Sequence, residues 1–101
     1  PEQVILLPIS EKYENYTKNV LHLLENSEIR ALVDNRNEKI GRKIRDAEMS
    51  KIPFMLIIGE NEEKEGTVSV RKHSEGDLGS FTIEQFAKII QDEIDKTLQQ
   101  F

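Results

Sequence analysis

Between Arg36 and Arg45 the chain holds five basic residues, Arg36, Lys39, Arg42, Lys43 and Arg45, against one acid, Glu38; the stretch is +4 within a chain of formal charge −5. Such a cluster suits anions, because lysine and arginine neutralise phosphates and release their counterions. A second charged run, Glu60-Asn61-Glu62-Glu63-Lys64-Glu65, supplies carboxylate acceptors. A groove with cations and acceptors side by side can hold a phosphate backbone and also read the edges of unpaired bases. The competing reading of each run is a solvated face or turn.

Other chemistry finds little support. The chain has no cysteine, which removes thiolate nucleophiles, disulfides, Cys-ligated zinc and iron–sulfur clusters. Its two histidines, His22 and His73, fall in unrelated elements and are read as surface residues. No serine occupies a Gly-x-Ser-x-Gly elbow, and Pro8-Ile9-Ser10-Glu11 lacks the glycines of a dinucleotide or phosphate loop. A phospho-receiver would need an acidic pair after the first strand, which is absent there. A small-molecule enzyme on a flavodoxin-like fold is therefore weakened.

The elements that must position these residues follow from periodicity. Gln3 to Pro8, an aliphatic run between Pro1 and Pro8, suits the central strand of a sheet covered on both faces. Ser10 is placed to cap a helix over Tyr13 to Asn26, with Tyr16, Val20, Leu23 and Leu24 on one stripe. Ile29 to Val33 reads as a short strand ending in the polar bend Asp34 to Asn37. A second helix follows from Glu38, burying Ile40, Ile44 and Ala47 and spreading Lys39, Arg42, Lys43 and Arg45 over its remaining arc. Pro53 ends it.

Phe54 to Ile58 is another buried strand, joined to Thr67 to Arg71 as a hairpin by an acidic turn from Gly59 to Gly66. Asp77 to Ser80 fits an edge strand. A last helix, opened by Thr82 and Glu84, carries Ile83, Phe86, Ala87, Ile90, Ile94 and Leu98. The order predicts an α/β fold, a three-layer α/β/α arrangement with a five-stranded mixed sheet and three helices. Ligands in such folds bind at the carboxyl ends of the parallel strands.

With 101 residues, 37% hydrophobic and 33% charged, the chain is read as one domain that folds alone. The net negative charge argues against a general polyanion binder. No apolar run approaches the roughly 20 residues of a membrane span. The first residue is Pro1 and no signal peptide precedes it, so residues 1–101 are read as a fragment cut from a larger protein.

Asp34-Asn35-Arg36-Asn37-Glu38-Lys39-Ile40-Gly41-Arg42-Lys43-Ile44-Arg45, Ile52 to Gly59, Val68-Ser69-Val70-Arg71 and Asp77-Leu78-Gly79-Ser80 together resemble the C-terminal anticodon-binding domain of threonyl-tRNA synthetases, over essentially the whole chain. The class II synthetases for proline, glycine and histidine share a looser form of this pattern. The resemblance implies a catalytically silent domain, without cofactor, that recognises tRNA. ATP, magnesium and zinc would belong to a catalytic domain elsewhere in the same chain, and the parent would be a cytoplasmic homodimer with no membrane partner. A sister synthetase's domain, or a stand-alone relative serving nucleic-acid or protein interaction, is the alternative, and anticodon selectivity separates them.

By the resemblance, the residues that touch the anticodon are Asn37, Lys39, Arg45, Glu62 and Arg71. Threonine anticodons end in G and U. Unpaired guanine presents N1–H and N2–H side by side, two donors that a carboxylate such as Glu62 accepts together. Arg71 suits guanine O6 or a uracil carbonyl, Asn37 a uracil edge, and Lys39 and Arg45 phosphates or base oxygens. His73-Ser74-Glu75 departs from the more basic stretch common in the family, so no phosphate contact is assigned to that loop. Arg42 stands where some relatives have an aromatic residue and is left out of the base-reading set.

Overall fold

The computed structural model of the chain describes residues 3–98; Pro1 lies outside them. The aliphatic runs form strands and the amphipathic runs form helices: β1 (Val4–Pro8), a 3-10 turn (Glu11–Tyr13), α1 (Glu14–Asn26), β2 (Ala31–Val33), α2 (Ile40–Met49), β3 (Phe54–Ile58), α3 (Glu60–Glu65), β4 (Thr67–Lys72), β5 (Gly76–Thr82) and α4 (Ile83–Leu98). The sheet order is β2-β1-β3-β4-β5. β1 pairs parallel with β2 and β3, while β3–β4 and β4–β5 are antiparallel. The mixed five-stranded sheet is as expected, but β3, not β1, occupies its centre.

Period-two alternation divides the core between the two faces of the sheet. Val4, Leu6, Phe54, Leu56, Val68 and Val70 meet Val20 and Leu24 of α1 and Phe86 and Ile90 of α4. Leu7 and Met55 meet Ala47 of α2, flanked by Ile5, Ile40, Ile44 and Ile57. Leu23, expected in the buried stripe of α1, is 43% exposed. The side chain of Leu98 lies beyond the described ones.

The largest departure is the segment after β3. It was expected as a turn, and it forms α3, a fourth helix. Its acids Glu60, Glu62 and Glu63 occupy the first turn and Lys64 the last, the arrangement the helix dipole favours. Gly66 closes it with φ of 69°, a conformation that glycine adopts without steric cost. Thr82 opens α4 as expected, and the structure shows a reciprocal pair there with Gln85: Gln85 N donates to Thr82 Oγ1 (3.1 Å) and Thr82 N to Gln85 Oε1 (2.9 Å).

The Asp77–Ser80 motif lies within the longer edge strand β5 and makes a bulge there. Val70 pairs with Gly79 and Arg71 with Asp77, so Leu78 is the extra residue, and Gly79 takes φ of 104°. Gly79 N also donates to Asp77 Oδ1 at 2.8 Å. β4 itself runs without interruption, so Ser69 and Arg71 point to the same side of the sheet. Their partners on β3 are Ile57 and Met55, which places them on the side that α2 covers.

Candidate nucleic-acid interface

The parallel strands end at Pro8, Val33 and Ile58, and the chain that follows each end carries the polar groups. Lys43 organises the first two ends. It was expected on the solvated arc of α2, yet it is only 2% exposed, and its Nζ donates to the carbonyls of Pro8 (2.9 Å) and Asp34 (3.0 Å). The ammonium thereby ties the end of β1 to the loop after β2. Position 43 lies three residues after Ile40 and four before Ala47, inside the buried stripe, and only its charge argued against burial.

Arg36 is also engaged. Its Nε and Nη2 clamp the Asp34 carboxylate at 2.9 and 2.8 Å, and Nη2 reaches Asp46 Oδ2 at 2.9 Å. The hydrogen bond from the Arg36 side chain holds the Asp34 carboxyl below its ordinary value, against the opposing effect of burial. Arg42 Nε lies 3.8 Å from Asp46. Of the five cations, Lys39 and Arg45 are therefore exposed with no ion-pair partner among the described residues. Asn37, in the loop before α2, is likewise exposed, and no protein group among those residues hydrogen-bonds its side chain.

Glu62 sits at the third position of α3 and is half-buried. Oε1 accepts the Gly59 N–H at 2.7 Å and Oε2 accepts the Ser69 hydroxyl at 2.7 Å. A Cβ on Gly59 would lie 3.2 Å from Oε1 and 2.8 Å from the Ile9 side chain, so glycine leaves room for the carboxylate. The competing reading of the acidic run as a solvated turn does not describe Glu62, whose two oxygens are both engaged within the protein. Arg71, two residues beyond Ser69, is half-buried, and its Nε is buried without a hydrogen-bond partner among the described residues. His73, expected as a surface residue, is half-buried where the end of β4 approaches the end of α2, its Nδ1 2.9 Å from Glu48 Oε2; His22 is exposed.

Lys39, Arg45, Glu62 and Arg71 share the α2 side of the sheet. They do not line one cavity. A depression of about 560 Å³ opens between the start of α1 and the β2–α2 loop, and of the five expected residues only Asn37 contributes to it. A broad face with separated polar groups fits a macromolecule better than a small ligand.

Tyr16 connects this region to α1, its hydroxyl donating to the Thr67 carbonyl at 2.7 Å. Burial, followed by the carboxylates of Glu62 and Glu63, raises its pKa above the ordinary 10.0. The folded state then keeps the phenolic proton to higher pH than the unfolded chain. The resulting stability is complete below 10.0 and is lost as pH rises through the folded-state value. Lys72, raised chiefly by its hydrogen bond to Glu93, loses its contribution in the same direction. Tyr16→Phe is therefore expected to reduce, but not abolish, the alkaline fall in melting temperature. A wild type and variant with parallel alkaline curves would show that the phenol carries none of it.

The family model described as the anticodon binding domain matches residues 3–93. The chain belongs to this anticodon-binding family. It is 66% identical to the threonine–tRNA ligase of Flavobacterium johnsoniae and 54% identical to that of Bacteroides thetaiotaomicron, in each case over all of this chain and 16% of the ligase. The chain thus spans about one-sixth of the length of these curated relatives. The RNA binding domain of threonyl-tRNA synthetase from Cryptosporidium parvum superposes with a TM-score of 0.84 at 30% identity, over 91% of this chain and 23% of that one. A Nostoc histidyl-tRNA synthetase has the same TM-score at 18% identity, over 93% and 23% of the two chains, and shows the shared fold alone.

Within this anticodon-binding fold, sequence reasoning missed Lys43, Asp34, Asp46 and Ser69. The alternation Val68-Ser69-Val70-Arg71 put Ser69 on the face of Arg71. Only α3, by folding back, brings Glu62 to it.

Proposed function

We propose that this chain is the anticodon-binding domain of a longer threonine–tRNA ligase and recognises the anticodon of threonine tRNA through Asn37, Lys39, Arg45, Glu62 and Arg71. One observation carries the reading: the α2 side of the sheet presents exposed, unpartnered Lys39 and Arg45 together with a carboxylate held at both oxygens. A carboxylate against RNA repels phosphates, so its presence among cations fits base recognition rather than backbone binding. Each oxygen of Glu62 accepts one bond within the protein and keeps a second acceptor site for guanine N1–H or N2–H.

The ligase chemistry, with ATP, magnesium and zinc, belongs on this reading to the remainder of the longer chain. So do the contact with the catalytic domain, the homodimer and the cytoplasmic setting. No helix of the described chain is long and apolar enough to cross a membrane.

The test is titration of the full-length ligase with a threonine anticodon stem-loop and with loops substituted at the second and third anticodon positions. The matched loop is expected to bind tighter, by about 1 to 3 kcal/mol per substituted base. Equal binding of all loops would overturn the reading. Lys39→Ala should weaken matched and mismatched loops by similar factors and lower the salt slope by about one unit, because a lysine acts on phosphates as a point charge. A selective loss for the matched loop would instead make Lys39 a base reader.

A further inference from the structure

We propose that Ser69, backed by Ser80, is the positioning residue that sets the orientation of the Glu62 carboxylate and so determines discrimination at the second anticodon base. The inference rests on the proposed anticodon reading and adds to it two hydroxyls that do not themselves touch RNA. A glutamate side chain has rotatable bonds throughout and a broad terminal torsion, so one anchor leaves its carboxylate free to turn. Here both oxygens are held, Oε1 by Gly59 N–H and Oε2 by the Ser69 hydroxyl, each at 2.7 Å.

The proton count orders the relay. A carboxylate only accepts, so the single hydroxyl proton of Ser69 goes to Glu62. The contact between Ser69 Oγ and Ser80 Oγ, at 3.4 Å, is then made by the Ser80 proton. Ser80 lies opposite Ser69 on β5, next to Gly79 and the bulge, so the edge strand reaches Glu62 through two hydroxyls. The remaining acceptor sites, one on each oxygen, present a side-by-side pair that matches the two parallel donors on the Watson–Crick edge of guanine. Arg71 lies two residues along the same strand face, and its Nε is buried without a hydrogen-bond partner among the described residues.

The test uses the full-length ligase and the ratio of affinities for stem-loops carrying guanine or adenine at the second anticodon position, with thermal unfolding in parallel. Ser69→Ala is expected to lower that ratio about fivefold, the scale of one hydrogen bond. Ser69→Thr, which keeps the hydroxyl, should preserve it, and provides the reading if the alanine variant folds poorly. In a Glu62→Ala background Ser69→Ala should change the ratio no further. Three results would overturn the proposal while leaving the anticodon reading in place. These are an unchanged ratio in Ser69→Ala when Glu62→Ala lowers it, an equal loss of affinity for both loops, and a full Ser69→Ala effect in the Glu62→Ala background. A ratio that Glu62→Ala leaves unchanged would reject Glu62 as the reader, and the role of Ser69 with it.

Discussion

Replacing Lys43 by methionine is expected to destabilise the fold by about 3 kcal/mol, the lower end for losing two hydrogen bonds donated by a charged group. Methionine keeps an apolar stem of similar length, so the packing against Ile40 and Ala47 should survive. What disappears is the donor to Pro8 O and Asp34 O, two carbonyls at the ends of different strands. The lower end applies because the variant no longer has to desolvate an ammonium, and that gain offsets part of the loss. Chemical unfolding of wild type and variant checks the value. A change below about 1 kcal/mol would mean that water replaces the ammonium at little cost. The loop released by this change runs directly into Asn37 and Lys39, so RNA binding should weaken as well, and more for the matched loop, whose uracil edge is assigned to Asn37.

Glu62→Gln is expected to weaken the guanine-containing stem-loop by about 1 to 3 kcal/mol, the range for a bidentate base contact, and the adenine variant little. Glutamine can still accept from Gly59 N–H with its carbonyl and donate to Ser69 with its amide, so the start of α3 stays held. Against guanine, however, it offers one acceptor and one donor where two acceptors are needed. Glu62→Ala should show the same selective loss and, in addition, lower stability by about 0.5 to 2 kcal/mol through the missing helix-start contact. Comparing the two variants separates base reading from folding. If glutamine leaves the guanine-to-adenine ratio unchanged, Glu62 serves α3 alone.

Much of this protein is decided locally. Aliphatic runs such as Leu6-Leu7 and Phe54 to Ile58 need no partner to announce buried strands, and Thr82 with Glu84 announces a helix start. The segregation of charge between Arg36–Arg45 and Glu60–Glu65 is likewise a property of the chain, as is the pattern by which the anticodon-binding family is recognisable.

The tertiary structure decided what depends on residues distant in sequence. α3 has six residues and no buried side chain, so nothing in its periodicity marks a helix. It forms because acids suit its first turn, Gly66 closes it, and Glu62 bonds to Gly59 and, across to β4, to Ser69. Lys43 is buried because two strand ends converge on it and supply carbonyls, and a lone lysine in sequence carries no sign of such acceptors. Arg36 looked available for phosphate until folding set Asp34 and Asp46 around it. Hydrophobic burial is written residue by residue with a short period, whereas the pairing of a buried charge or a positioned carboxylate requires partners that only the folded chain brings within about 3 Å.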